Sequence, residues 1–421
     1  ILEIDCGIEA SVLATRLLTR IPIDQQLPVM KARLGTTRGT TALLTRTGAP
    51  TVLVVNEGFG DVLEIGEQDR SELFDLSIQK TPPLAQCVIE IEGRFDAAGN
   101  ALSPLNPAAI ADALQVAREA GFETVSICLL HAYLRDDHER VVQRIAEEIG
   151  FRDVSRSSEV APLIKLISRA ETTTLDAYLN PILAAYIQRV RKDFGSSTCQ
   201  IEQMTSGGNL VDASHFRGRD SVLSGPAGGV VGLEQVAKNH ACDLAIGLDM
   251  GGTSTDVSRF HGRVSRRYET RIAELRVMPP MMDIHTVAAG GGSICDFVGG
   301  RLVVGPSSAG ANPGPACYGR GGPLTVTDVN LLLGRLRTDR FPFPLSVEAA
   351  QERLDHVADK MRAERDSPVE PFALAEGFLD IAVTHMAEAV RAITTARGVD
   401  VRDHALVGFG GAAAQHLCRV A

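Results

Sequence analysis

Two aspartates bracket a short turn of glycine and hydroxyl residues in the second half of the chain. Residues 244–260 read LAIGLDMGGTSTDVSRF, so a buried strand ends at Asp249 and a second strand begins at Asp256. The glycines let backbone amides approach phosphate oxygens, because no Cβ stands in the way. Mg²⁺ prefers carboxylate, phosphate and water oxygens. We predict that both aspartates are catalytic, that Asp249 binds a metal ion, and that five turn residues bind a phosphorylated cofactor: Gly251, Gly252, Thr253, Ser254 and Thr255.

This turn differs from two common phosphate loops. No lysine follows its glycines, which excludes the P-loop pattern, and a strand follows it where the dinucleotide fingerprint requires a helix. The strand–turn–strand arrangement, with a third strand expected over residues 264–270, resembles the phosphate-binding hairpin of the actin and sugar-kinase superfamily. A glycine-rich hairpin without a ligand is the alternative.

Two further glycine segments are candidates for nucleotide contacts. Residues 290–293 read GGGS, a second candidate anion-binding loop in which Gly291 and Gly292 would contact the cofactor. Residues 406–416 read LVGFGGAAAQH, a strand that ends in two glycines and opens a helix. In the actin-like superfamily such a loop packs against the ribose and base, so we expect this contact from Gly410 and Gly411.

Other polar residues near these segments give weaker signals. Asp283 and His285 are two positions apart, so they share a face if the segment is a strand. This permits a metal-binding pair, although a structural histidine is the favoured interpretation. Arg320 lies between glycines and could contact a phosphate or carboxylate, or simply lie in a surface loop. The segment 224–232, SGPAGGVVG, predicts the start of a closely packed helix without a catalytic role.

The elements that must position these residues alternate between strands and helices. Strands are expected at 51–56, 88–92 and 124–130, and helices at 107–120 and 137–149, a rhythm typical of an α/β fold. Residues 34–76 read as alternating turns and strands. A helical segment over 170–194 is expected to break at Asn180-Pro181. Helices are also expected at 345–365 and 371–397. We predict a first domain over 1–198 and a second over 199–421, with a glycine-rich insertion at about 283–330.

Bulk composition limits the classes of protein. The chain has 421 residues, a formal net charge of −10 and 44% hydrophobic residues, which suits a globular protein of two or three domains. An acidic balance argues against nucleic acid as the main partner. None of the eight cysteines forms a Cys-x-x-Cys pair, so we expect reduced, buried thiols and a cytoplasmic location. No apolar run approaches the length of a membrane span.

Several long strings resemble the hydantoinase A/oxoprolinase family. Its motifs are similar to the phosphate turn, to SGPAGG at 224–229, to DIHT…GGGS at 283–293, to the GPSSAG…PGPACYG run at 305–319 and to FGGA at 409–412. In the first half, RLGTTRGTTALLTR at 33–46 and GFGDVLEIGEQDRSELFDL at 58–76 look like family segments as well. The family often has Asn where this chain has Thr41. The similarity extends over nearly the whole chain.

The resemblance implies a two-domain, actin-like ATPase fold of the ribonuclease-H-like type. It also implies ATP and Mg²⁺ as cofactors, a hydantoinase B-like subunit or domain as partner, and an oligomeric assembly. The family's first phosphate motif, an N-terminal Asp-x-Gly-Gly-Thr-x-Thr-Asp, has no counterpart in this sequence, since no Gly-Thr follows Asp5-Cys6-Gly7. We therefore expect a chain truncated at both ends, with an incomplete first domain, and an isolated piece without activity.

The reaction that the resemblance implies is ATP-dependent hydrolysis of a cyclic amide, such as 5-oxoproline or a hydantoin, through a phosphorylated carbonyl. The Gly-Thr-Thr-Arg-Gly-Thr stretch at 35–40 and Ile65-Gly66-x-Gln68 look closer to the oxoprolinase branch than to ketone carboxylases. Carboxylation of acetone or acetophenone is the alternative within enzymes. A nucleotide-dependent, actin-like binding module is the alternative of another class.

Overall fold

The computed structural model describes residues 7–68, 74, 80–195, 199–272, 275–365 and 369–421. The chain divides into two compact units. The N-terminal unit comprises Ile4–Gly228 and Arg266–Met282, and the C-terminal unit comprises Gly229–Ser265 and Asp283–Ala421. The expected domain boundary at 198/199 stays a prediction about the family's domains. By compactness, residues 199–228 and 266–282 belong with the N-terminal unit.

The helices of the described residues are numbered in chain order. They are α1 Ala10–Thr19, α2 Arg38–Leu44, α3 Val62–Ile65, α4 Pro107–Glu119, α5 Asp137–Ile149, α6 Ser157–Val160, α7 Leu166–Phe194, α8 Ser224–Asn239, α9 Val326–Leu332, α10 Val347–Arg365, α11 Pro371–Ile393 and α12 Leu417–Val420. Within the described ranges, none of them combines the length and the apolar character that crossing a membrane requires.

The described strands are shorter and more numerous. They are β1 Met30–Leu34, β2 Thr51–Asn56, β3 Cys87–Ile91, β4 Arg94–Phe95, β5 Ala101–Ser103, β6 Thr124–Ile127, β7 Asp153–Arg156, β8 Cys199–Met204, β9 Leu210–Asp212, β10 Leu244–Met250, β11 Thr255–His261, β12 Arg263–Val264, β13 Arg266–Arg267, β14 Thr270–Ile272, β15 Leu275–Val277, β16 Met281–Met282, β17 Ile284–Val287, β18 Ser293–Val298, β19 Arg301–Ser308 and β20 Ala405–Phe409.

A parallel sheet of order β3-β2-β6-β7 forms one core of the N-terminal unit. All six residues of its central strand β2 are buried, which is the pattern of a parallel strand covered on both faces. The amphipathic helices α4 and α5 contribute Leu114 and Val142 to the same core. The strand–helix alternation predicted over 51–149 is therefore confirmed in this unit.

Two predictions in the N-terminal unit were wrong. Residues 38–44 form helix α2 rather than a turn or strand, because Ala42 and Leu43 pack together in a core with α7 residues such as Tyr178. Helix α7 runs unbroken through Pro181. Tertiary packing explains this, since α7 is buried along most of its length and packing outweighs the local cost of a proline. Residues 69–73 and 75–76 of the family-like segment 58–76 lie outside the described residues.

The C-terminal unit is built on a five-stranded sheet. Its order is β12-β11-β10-β20, and β17 also pairs with β11. Strand β10 is antiparallel to β11 and parallel to β20. Helix α11 covers this sheet and contributes Phe378 and Met386 to the core. The expected third strand over 264–270 is only partly present, because β12 ends at Val264 and β13 pairs with β16 instead.

The cysteines agree with the predicted absence of disulfides within the described residues. All seven described cysteines are free thiols, and Cys128, Cys295 and Cys317 are buried. Cys418 is exposed, so the expectation of burial was wrong for this thiol. Cys6 lies outside the described residues.

Candidate functional site

The predicted phosphate turn is a β-hairpin loop in the C-terminal unit. Strands β10 and β11 pair so that Asp249 lies directly opposite Asp256. The loop between them closes when the Gly251 amide donates to the Ser254 carbonyl at 3.1 Å. Side chains of directly opposed residues project from the same face of a sheet. The hairpin therefore brings the two predicted carboxylates together at its tip.

The electrostatics of the two carboxylates are unfavourable in the free protein. Burial raises the pKa of the Asp249 carboxyl. Burial also raises the pKa of Asp256, and the negative charge of Asp249 raises it further. The Thr286 hydroxyl partly offsets this effect by donating to Asp256 Oδ1 at 2.5 Å. Like charges that face each other across strands destabilise a sheet, so a bound cation would relieve a repulsion that the fold itself creates.

The tip of the hairpin loop leaves backbone donors available. Gly252 and Thr253 are exposed, and within the described residues no acceptor is found for their amides. An ideal Cβ on Gly252 would meet no atom within 4 Å, so there is open space beside its Cα, whereas the backbone of Gly290 packs close to the Thr253 amide nitrogen. Such exposed amides, unobstructed by side chains, are suited to bind phosphate oxygens.

The structure gives Thr255 a different task from the one predicted. Its side chain is fully buried, and its hydroxyl donates to the Ala289 carbonyl. This hydroxyl therefore fastens the hairpin to the segment before the triple glycine and is not directed at a ligand. Ser254 is half-buried and Thr253 is exposed, so the hydroxyl of Thr253 is the more accessible of the two.

The triple-glycine loop supports the hairpin rather than forming a second anion cradle. The Gly290 amide donates to Ser293 Oγ at 2.8 Å. The Gly291 amide donates to the Gly251 carbonyl at 3.0 Å, and that of Gly292 to the Gly252 carbonyl at 2.6 Å. All three amides are thus used inside the protein. The amides of Gly291 and Gly292 therefore support the hairpin, and the predicted contact of these two glycines with a cofactor stays a prediction.

The loop after β20 lies against the same hairpin. Gly410 has φ +87°, and a Cβ there would lie 2.5 Å from Asp249 Oδ1 and 2.6 Å from the Met250 carbonyl oxygen. The Ala412 amide donates to that carbonyl at 3.0 Å. Gly411 is exposed, and a Cβ there would meet nothing within 4 Å. The third glycine segment therefore packs on Asp249 through Gly410 and leaves Gly411 open.

Asp283, His285 and Arg320 do not join this site as ligands. Asp283 forms an ion pair with Arg397, and His285 is exposed on β17. Among the described residues, no group of three or more His, Cys, Asp or Glu side chains could hold a metal ion. Arg320 Nη1 donates to the Ala311 carbonyl at 3.4 Å. The residue that sequence reasoning missed is Thr286, which strand pairing places opposite Asp256.

Comparison with known proteins identifies the family. The sequence model of the Hydantoinase/oxoprolinase family matches residues 169–421, and that of its N-terminal region matches residues 10–150. The chain belongs to the hydantoinase/oxoprolinase family. It is similar to a 5-oxoprolinase of Saccharomyces cerevisiae, with 40% identity over 95% of this chain and 34% of the relative. It is also similar to 5-oxoprolinase 1 of Arabidopsis thaliana, with 38% identity over 96% of this chain and 35% of the relative. This family member thus spans about a third of these relatives' length.

Solved structures share the fold. The crystal structure of an ATP-dependent caprolactamase from Pseudomonas jessenii has a TM-score of 0.79 and 30% identity, over 99% of this chain and 62% of that one. A nucleotide-free acetone carboxylase has a TM-score of 0.78 and 22% identity, over 92% of this chain and 57% of that one. These likenesses confirm the predicted actin-like ATPase type of α/β fold.

The packing of Gly410 on Asp249 yields the first prediction. Gly410→Ala should lower the free energy of unfolding by roughly 2 kcal/mol, because it combines a positive φ with a clash against the carboxylate and the Met250 carbonyl. Urea denaturation of the full-length protein measures this. Gly411→Ala is the matched control and should change the free energy by less than about 0.5 kcal/mol. Equal effects of the two substitutions would contradict the described packing.

The opposed carboxylates yield the second prediction. Because the pKa of Asp256 is raised, the folded protein holds this carboxyl proton at pH values where the unfolded chain has already lost it. The free energy of unfolding therefore falls as the pH rises through the range in which carboxyl groups titrate. Asp256→Asn should therefore raise the free energy of unfolding of the ligand-free protein at pH 7 by on the order of 0.5 kcal/mol. The gain should shrink as the pH falls towards about 4. Urea titrations at several pH values test this, and a loss of stability at pH 7 would contradict it.

Proposed function

We propose that this chain is the ATP-binding part of an enzyme that hydrolyses a cyclic amide of the 5-oxoproline or hydantoin type. The observation that supports this most is the pair Asp249 and Asp256, opposed across a hairpin whose tip keeps exposed amides. The names of the relatives supply the substrate class, because similar family members are called 5-oxoprolinase, and one is caprolactamase subunit alpha of Pseudomonas jessenii, 34% identical over 92% of this chain and 57% of the relative.

ATP and Mg²⁺ fit the residues that are present. Mg²⁺ is bound in many nucleotide sites by one or two carboxylates together with phosphate oxygens and water, and Asp249 and Asp256 supply two carboxylates whose charges repel each other. Asp249 is the proposed metal ligand, directly or through water. The open space beside Gly252 gives phosphate oxygens room to approach its amide. The exposed Gly410 and Gly411 are proposed to contact the ribose and base.

The chemistry explains why such an enzyme would use ATP. An amide carbonyl is a poor electrophile, and transfer of the γ-phosphoryl group to its oxygen would make the carbonyl carbon open to attack by water. The tetrahedral adduct would break its C–N bond, so that the ring nitrogen leaves as a protonated amine, and a second water would release inorganic phosphate from the acyl phosphate that remains. Catalysis of phosphoryl transfer consists largely of positioning and charge stabilisation. The hairpin amides would orient the phosphates, and the two carboxylates would hold the cation that balances their charge.

The proposed assembly includes further components. Because one similar relative is named as a subunit alpha, we expect a hydantoinase B-like subunit or domain to supply much of the site for the cyclic amide, in an oligomer. The free thiols among the described residues suit a reducing compartment, so a cytoplasmic location belongs to the same proposal.

Ketone carboxylation is the second candidate, because the same fold also occurs in a ketone carboxylase. The acetone carboxylase structure shares the fold over 92% of this chain, although at 22% identity this likeness concerns the fold alone. A nucleotide-dependent binding module is a third candidate. Such a protein would bind nucleotide, and no carbonyl compound would stimulate its ATP hydrolysis.

The third prediction separates these functions. ATP hydrolysis by the full-length protein with its partner should rise at least tenfold when 5-oxoproline or hydantoin is added, because the acceptor carbonyl would take the phosphoryl group. Acetone with bicarbonate is the comparison, and it should give no stimulation. The Asp249→Asn variant, purified with the same partner, should lose the stimulated rate. Stimulation by the ketone alone would instead favour carboxylation, and stimulation by none would favour the binding module.

A further inference from the structure

Helix α9 is joined at its first turn to the phosphate hairpin. The Gly291 carbonyl accepts two hydrogen bonds from Thr327, one from the backbone amide at 2.8 Å and one from the hydroxyl at 2.8 Å. The first amides of a helix lack partners inside the helix, so the triple-glycine loop satisfies one of them. Since the Gly291 amide donates to the Gly251 carbonyl, α9 is connected to the hairpin loop through a single residue.

Helix α9 itself is held rigidly. Asp328 is fully buried and its carboxylate accepts from the amide and the hydroxyl of Thr325, each at 2.8 Å. The same carboxylate accepts from the amides of Ala316 at 3.1 Å and Cys317 at 2.7 Å. A carboxylate with four donors resists displacement. Helix α9 therefore holds the segments that are hydrogen-bonded to it in fixed positions.

The end of α9 is attached to the turn that follows the two exposed glycines. Asn330 and His416 are both fully buried, and Asn330 Nδ2 lies 3.1 Å from His416 Nε2. His416 comes directly after the helical turn Ala413–Gln415, only five positions beyond Gly411. The Asn330 contact therefore fixes the segment that carries the proposed ribose and base contacts.

This buried pair is a costly way to stabilise a fold. Within the described residues, Asn330 Oδ1 and His416 Nδ1 have no hydrogen-bond partner, and unpartnered buried polar atoms are unfavourable. Burial together with the charges of Arg335 and Arg419 lowers the pKa of His416 to about 4, so the ring is neutral and makes one neutral hydrogen bond. An apolar pair would fill this space at less cost, which points to a geometric role.

We infer that Asn330 and His416 are positioning residues that, through α9 and the Gly291 carbonyl, set the distance between the phosphate hairpin and the Gly410-Gly411 loop together with the direct bond from the Ala412 amide to the Met250 carbonyl. The inference rests on the proposed nucleotide site. A nucleotide must contact both loops at once, whereas a polyphosphate contacts the hairpin alone. Loss of the Asn330–His416 contact should therefore weaken nucleotide binding and leave polyphosphate binding intact.

The test compares two probes on the full-length protein. Isothermal titration with MgADP and with magnesium tripolyphosphate should show that His416→Leu and Asn330→Leu each raise the Kd of MgADP about tenfold, which corresponds to about 1.4 kcal/mol. The Kd of tripolyphosphate should change less than twofold. His416→Gln should retain most of the MgADP affinity, because its amide oxygen can still accept from Asn330. An equal loss for both probes, or no loss for either, would overturn the inference.

Two controls separate this inference from loss of folding and from failure of the proposed function. The double variant Asn330→Leu with His416→Leu replaces both polar partners with apolar groups, so it should unfold in urea much like the wild type and still show the selective loss of MgADP binding. His356→Leu changes an exposed histidine on α10 and should alter neither Kd. Wild-type protein that binds neither probe would refute the nucleotide site itself, whereas wild-type binding with unselective variants would refute only the positioning role.

Discussion

The contact between Asp249 and its surroundings at the end of β10 is the constraint on which the site depends. This carboxylate faces Asp256 across the hairpin, and it occupies the space that a Cβ of Gly410 would need. A Cβ on Gly229 of α8 would also lie 3.3 Å from its other oxygen. Gly410 is thus required because a half-buried charge must fit beside backbone, whereas at Gly229 the ring of Phe409, at 2.7 Å from such a Cβ, is the tighter neighbour.

The glycine-rich segments divide into two physical roles according to where their amides point. In the triple-glycine loop every amide is used within the protein, so this segment holds the hairpin in place. At the hairpin tip the amides of Gly252 and Thr253 find no acceptor among the described residues, and the backbone of Gly290 packs closely against the peptide that joins them. Preorganised donors of this kind are effective because they need no rearrangement when a charged ligand arrives.

Much of the fold and part of the site could be predicted from local sequence signals. The hairpin, the glycine loop after β20 and the alternation of strands and helices follow from apolar periodicity and glycine placement, which are local properties of the sequence. The unbroken α7 could not be predicted, because burial of a long helix outweighs one proline. Thr286 and the supporting role of Gly291 depend on pairing between segments distant in sequence, and one sequence carries no signal for that pairing.

The most direct test of the central claim is the binding of MgADP to the full-length protein and to its Gly252→Ala variant. A methyl group on Gly252 meets nothing within 4 Å in the free protein, so it should leave the unfolding transition unchanged. The same methyl group would block the approach of phosphate to the neighbouring amides. Our account predicts that titration calorimetry will show at least a tenfold weaker affinity for the variant with unaltered stability. Equal affinity of the two proteins would contradict the assignment of this hairpin as the phosphate site.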